Sequence, residues 1–121
     1  MSSSAQPIAI KDIAAVVATG RFDDAKAWYS RLLGREPDLE PVPGVAEWQL
    51  TATAWLQVVT DEAGAGRAAV RFGVDDLDAT LSRLRDHGVT VGEPQVIADM
   101  VTIVDVADPD GNEVSFVADL A

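Results

Sequence analysis

Apolar and polar positions cycle along this chain in blocks, and the blocks recur in the same order twice. Residues 13–18 form a run of small and β-branched side chains that suits a strand buried on both faces, broken by Gly20. Phe22, Ala25, Tyr29, Leu32 and Leu33 then return at near-helical spacing, with Trp28 widening the stripe. Asp23 and Asp24 lie where the positive end of a helix dipole favours them, and Gly34 lies where a helix stops. Pro37, Pro41, Pro43 and Gly44 leave room for at most a short edge strand. Residues 46–51 and 54–60, separated by Ala52-Thr53, read as a tight hairpin.

The stretch Asp61-Glu62-Ala63-Gly64-Ala65-Gly66 is small, polar and glycine-rich, as in a linker. Its glycines do not follow a strand and open a helix, as those of a phosphate-binding loop do. Beyond it the cycle repeats. Residues 68–74 predict a strand, Asp75 or Asp76 a helix cap, and Leu77, Leu81 and Leu84 a helical stripe closed by Gly88 after His87. Strands are expected at 89–91, 96–105 and 113–117. The five residues Asp108-Pro109-Asp110-Gly111-Asn112 have the chemistry of a hairpin turn whose side chains bond within the turn itself, joining 102–107 to 113–118.

The pattern predicts an α+β fold of two βαβββ modules, an internal repeat of about 55 residues, with a curved, open mixed sheet and one helix per module outside it. The expected boundaries are a disordered lead-in over 1–9, a first module over 10–61, a linker over 62–67 and a second module over 68–121.

Composition narrows the chemistry. Twenty acidic residues against nine basic ones give a net charge of −11, which disfavours nucleic acid and anionic membrane surfaces as partners. There is no cysteine and one histidine, so thiolate chemistry and multi-histidine zinc centres are closed off. The first residues have neither the basic start nor the apolar core of a signal peptide, and the expected setting is the cytoplasm.

The paired modules, the helix ending Ala27-Trp28-Tyr29-Ser30-Arg31-Leu32-Leu33-Gly34, the opening Val70-Arg71-Phe72-Gly73-Val74-Asp75-Asp76-Leu77-Asp78-Ala79 and the turn 108–112 together resemble the vicinal oxygen chelate superfamily. That superfamily includes glyoxalase I, extradiol dioxygenases, fosfomycin-modifying enzymes and bleomycin resistance proteins. The resemblance implies a ligand cleft between the two half-barrels, and in many members a homodimer. It also implies metal-ligand positions, which fall here at Ala14, Gln57, Ala69 and Ser115. Two methyl groups, an amide and a hydroxyl are no metal centre, so neither a metal nor another cofactor is expected.

Strand alternation then selects what faces the cleft. If Ala69 does, so do Arg71 and Gly73, while Val70, Phe72 and Val74 pack under the helix. Arg71 is suited to a ligand's carboxylate or phosphate, or to an internal pair with Asp105 or Glu113. Trp55, Gln57 and Val59 share a face, with Trp48 on the neighbouring strand, and would suit a flat, partly polar molecule or else core and interface packing. Ser115 completes the ligand-binding set. Asp105 and Glu113 are the candidate general bases. Core packing is expected for Tyr29, and a helix-end role for His87.

The leading expectation is a metal-independent protein that binds a small organic molecule, in the manner of drug-sequestering resistance proteins. One alternative is a metal-free or weakly metal-dependent lyase or isomerase acting on a small carbonyl compound. Another is a protein-interaction module in which the tryptophans serve an interface.

Overall fold

The computed structural model describes residues 5–120. Residues 1–4 of the expected lead-in lie outside the described residues, and residues 5–12 carry no secondary structure. The order of elements is β1 (Ile13–Thr19), α1 (Phe22–Leu33), β2 (Val45–Thr51), β3 (Ala54–Thr60), β4 (Ala69–Gly73), α2 (Leu77–Asp86), β5 (Gln95–Ile97), β6 (Val101–Ala107) and β7 (Glu113–Asp119). Two mixed sheets result, ordered β1-β3-β2 and β4-β7-β6-β5. In each, the module's first strand runs parallel to its last, and the remaining strands are antiparallel.

This is the α+β architecture of two βαβββ modules, with departures from the expected strands in each. In the first, the proline-rich segment is reduced to a single bridge between Leu39 and Glu47. Proline has no N–H to give a ladder, so three in seven residues permit little more. In the second, the strand expected over 96–105 is folded back on itself as β5 and β6. Ala98 and Asp99, both at φ 53°, turn the chain between them. Non-glycine residues in that region carry no strong turn signature, which hid the break. The strand expected at 89–91 does not form, although Val89 is buried in the core.

The helices form where the pattern placed them. Gly34 ends α1 in the left-handed conformation, its N–H bonded to Arg31 O. Asp76 caps α2 by accepting from the Ala79 N–H at 3.0 Å. Both helices press their apolar stripes, Ala25, Tyr29 and Leu32 on one and Leu81 and Leu84 on the other, into the core formed with one face of the sheets. From the strands that core takes Val17, Ala46, Trp48, Leu56, Val58, Val70, Val104, Val114 and Phe116. The opposite faces carry no helix. For that reason β1, expected to be buried on both sides, buries Val17 and Thr19 but leaves Val16, on the helix-free face, 52% exposed, while Ile13, at the start of the strand, is 69% exposed. Among the described residues no helix is long and apolar enough to cross a membrane.

The turn 108–112 does more than reverse the chain. Asp108 gathers the Asp110 and Asn112 N–H groups at 2.9 Å each, as a self-contained turn would. Asp110 and Asn112, however, reach the first module. Asp110 accepts from the Thr19 hydroxyl and from the Gly20 N–H, and Asn112 donates its amide to Ala18 O at 2.9 Å while accepting from Ala68 N at 2.9 Å. The end of β1, the start of β4 and the last hairpin are thereby tied at one fully buried asparagine. Gly66 belongs to the same joint. At φ 81° it brings its backbone so close to Asp110 O that a Cβ there would lie 2.5 Å from it.

Candidate functional site

Cross-strand partners share a face, so the register shows which side chains meet on the helix-free side. In the second sheet one row reads Arg71, Ser115, Asp105, and the row one pleat away reads Ala69, Glu113, Ala107. In the first sheet the equivalent rows are Val16, Gln57, Glu47 and Ala14, Trp55, Gln49. The modules thus repeat a hydrogen bond as well as a topology. Gln57 Nε2 donates to Glu47 Oε2 at 2.7 Å, and Ser115 Oγ donates to Asp105 Oδ1 at 2.7 Å. In both, a neutral donor on the last strand holds a carboxylate on the strand beside it.

The second sheet's open face forms a cavity of about 330 Å³. Arg71, Asp105 and Glu113 line it together with an apolar wall of Ile97, Val101, Ile103 and Val117. Ser115 lies in the middle of the row and is only 2% exposed. Among the described residues Arg71 has no carboxylate within 4 Å, so the internal pair with Asp105 or Glu113 is not formed. Ile97, Val101, Ile103 and Val117 were missed at the level of sequence. The signal was there: side chains alternate along a strand, so the face that holds Asp105 also holds Val101 and Ile103, and the face that holds Ser115 also holds Glu113 and Val117.

Trp55 and Gln57 lie on the other sheet's open face, half-buried, and line no cavity in common with Arg71. Trp48 is elsewhere. It pairs with Leu56, not with Gln57's row, and this difference in parity turns it into the core. There it is fully buried, its indole N–H donating to Arg35 O at 3.0 Å and its ring 6.3 Å from that of Tyr29. It does not face the proposed ligand. Tyr29 packs in the core as expected, and its phenol is held protonated well above the usual range by burial and by the bond to Asp108. His87 caps α2 and lays its ring against Gly34 at the end of α1.

A larger depression, about 610 Å³, runs along the outer side of α1. Its Lys26 and Arg35 are already paired with Glu40 and Asp38, at 3.0 and 2.8 Å. The Arg35 partner holds the Asp38 carboxyl below its ordinary value. These are exposed ion pairs of the kind that decorate a helix surface.

The sequence matches the Glyoxalase/Bleomycin resistance protein/Dioxygenase superfamily over residues 10–116. The chain belongs to this superfamily. Among solved structures it is similar to a glyoxalase/bleomycin resistance protein from Catenulispora acidiphila DSM 44928, at 39% identity over 88% of this chain and 96% of that one, with a TM-score of 0.81. It also shares its fold with TnmS3, an antibiotic binding protein from Streptomyces sp. CB03234, at 21% identity over 94% and 98% of the two chains and a TM-score of 0.74. A lactoylglutathione lyase from Agrobacterium tumefaciens is 19% identical over 93% and 95% of the two chains, with a TM-score of 0.72. No curated protein matches the sequence.

Many enzymes of the superfamily work through a metal, and the donor set here can be compared with that need. Ala14 and Trp55 are neighbours across one sheet, Ala69 and Glu113 across the other, so the first-strand positions present methyl groups. Gln57 and Ser115 already give their hydrogens to Glu47 and Asp105. Among the described residues no three His, Cys, Asp or Glu side chains come together as a metal-binding group. The residues present do not fit a metal of this kind.

Proposed function

We propose that the protein binds a small organic molecule without a bound metal, on the helix-free face of its second sheet, in the sequestering manner of drug-binding relatives. The observation that carries this reading is the donor set. Methyl, amide and hydroxyl groups stand at Ala14, Ala69, Gln57 and Ser115, while the same face keeps a cavity with an apolar wall and an uncommitted arginine. A pocket with a few convergent polar groups on an apolar lining is the usual form of a small-molecule site. Arg71 and Ser115 supply contacts there, and Trp55 and Gln57 supply an aromatic face and an amide on the other sheet. A second copy of the chain would bring the two kinds of face together. Ile13 and Val16, exposed along β1, support such a homodimer.

Titration with a chemically diverse panel, followed by tryptophan fluorescence and by metal analysis of the purified protein, tests the reading. Saturable quenching or shift with at least one compound and no stoichiometric divalent ion are expected. A stoichiometric ion, or no response to any member, overturns it.

A second reading rests on one further observation. Asp105, Glu113 and Arg71 line the same cavity, the set a metal-free lyase or isomerase would use on a small carbonyl compound, with a carboxylate as base and the guanidinium at the developing oxyanion. Turnover that Asp105→Asn or Glu113→Gln abolishes while ligand affinity stays unchanged would favour it over sequestration.

A further inference from the structure

Resting on the small-molecule reading of the second sheet, we infer that its ligand is amphoteric, one molecule carrying both a carboxylate and a protonated amine on an apolar body. The cavity presents both signs of charge, and neither is satisfied within the protein. Among the described residues Arg71 has no carboxylate within 4 Å, and Asp105 and Glu113 have no cation within 4 Å. The charged side chains hold only a neutral bond, from the Ser115 hydroxyl to Asp105.

The register sets their spacing. Arg71 and Asp105 flank Ser115 in one row, and Glu113 lies one pleat along the middle strand, diagonal to Arg71. With strands about 4.8 Å apart and diagonal neighbours about 8 Å apart, the positive and negative groups sit a short molecule's length from each other. Ile97, Val101, Ile103 and Val117 cover the body between and beside them.

Two alternatives fit less well. A purely cationic ligand would bring its charge beside Arg71, and a purely anionic one would face two carboxylates. Nor does the fold require the arginine. The equivalent row of the first module, Val16, Gln57, Glu47, has the corresponding bond, from an amide to a carboxylate, with valine in the arginine's place. The second module therefore carries a cation that its architecture does not use.

The test takes the full chain, isotopically labelled, and four forms of one scaffold: glycyl-phenylalanine, its C-terminal amide, its N-acetyl derivative and the doubly blocked compound. Amide shifts of Arg71, Ile103, Asp105 and Val117 are read by NMR. The free dipeptide is expected to bind at least about tenfold more tightly than either singly blocked form, the scale of one charge-assisted hydrogen bond. Arg71→Gln should lower the free dipeptide to the affinity of its amide without weakening the amide. The pair Asp105→Asn with Glu113→Gln should lower it to the affinity of the N-acetyl form. A singly blocked form that binds as tightly as the free dipeptide, or four forms that leave those resonances unmoved, overturns the amphoteric class. If blocked or neutral forms move the same amides without preference, the small-molecule site stands and only its ligand class falls. Failure of the diverse panel as well removes the parent reading.

Discussion

The Tyr29 hydroxyl donates to the Asp108 carboxylate at 2.7 Å, tying the helix of the first module to the last hairpin of the second. Asp108 is 5% exposed and has no cation beside it among the described residues. Four donors replace one: Tyr29 Oη, the Asp110 and Asn112 N–H groups, and Asn112 Nδ2. Tyr29→Phe keeps the ring in the core and removes one of the four. A hydrogen bond to a charged group contributes about 1.5–3 kcal/mol, so the variant should lose about that much in urea unfolding. An unchanged midpoint would show that the other three donors suffice.

The same bond predicts a dependence on alkaline pH. Burial first, and Asp108 second, raise the Tyr29 pKa above its ordinary value of 10.0. The folded state therefore keeps its phenol proton where the unfolded chain has lost it. That contribution to stability is fully present below the unfolded pKa and is lost as pH rises above it, by up to about 1.4 kcal/mol per unit. Wild type should lose stability between pH ~9 and ~11 more steeply than Tyr29→Phe. Parallel curves for the two proteins would count against a buried, protonated phenol.

Asn112 separates geometry from charge. Its Nδ2 donates both to Ala18 O and to Asp108, and its Oδ1 accepts from Ala68 N. Asn112→Ala leaves Ala18 O and the Ala68 N–H without these partners and takes one donor from Asp108, at a cost of about 3 kcal/mol. Asn112→Asp has the native shape but turns an acceptor toward a carbonyl and toward a second carboxylate. It should be the more destabilising of the two near neutral pH and should recover as the pH falls. Chemical denaturation of both variants at two pH values reads the order directly.

The role of that asparagine was not legible in the sequence, and the reason is physical. Proline, glycine and short polar side chains specify a turn locally, so 108–112 read as a hairpin with its bonds kept inside. Its partners Ala18, Thr19 and Tyr29 are about 80 to 94 residues away in the chain, and no periodicity connects them. What strand alternation does specify was readable: Val70, Phe72 and Val74 turn into the core while Arg71 stays exposed. Where parity was not applied across a hairpin it failed, and Trp48 was placed on Gln57's face. The break at Ala98 and Asp99 also escaped, because alanine gives no sign of a positive φ and a single aspartate only a weak one.

Gly34 and His87 should be energetically coupled. Gly34 ends α1 at φ 75°, and a Cβ there would lie 2.8 Å from Cε1 of the His87 ring. Gly34→Ala therefore carries two penalties, the left-handed backbone and the clash. The backbone part costs about 1 kcal/mol. In an His87→Ala background only that part should remain, so a double-mutant cycle should return a coupling of about 0.5 kcal/mol or more. Additive losses would mean that the ring moves aside freely.

Trp48 and Trp55 stand seven residues apart on neighbouring strands and face opposite ways, which makes them separable probes of fold and ligand. Trp48 is fully buried, and its indole N–H is bonded to Arg35 O. Trp48→Phe removes that donor and leaves a void, so it should cost about 2–3 kcal/mol. Trp55 lies half-buried on the open face, and Trp55→Phe should stay within about 0.5 kcal/mol of wild type. Fluorescence should divide the other way. A ligand held between the second sheet's cavity and Trp55 of a second copy should quench wild type and Trp48→Phe but not Trp55→Phe, because Trp55, unlike Trp48, is on the helix-free side. If the quench followed Trp48 instead, ligand would be entering the core between α1 and the first sheet, and the open-face site would be wrong.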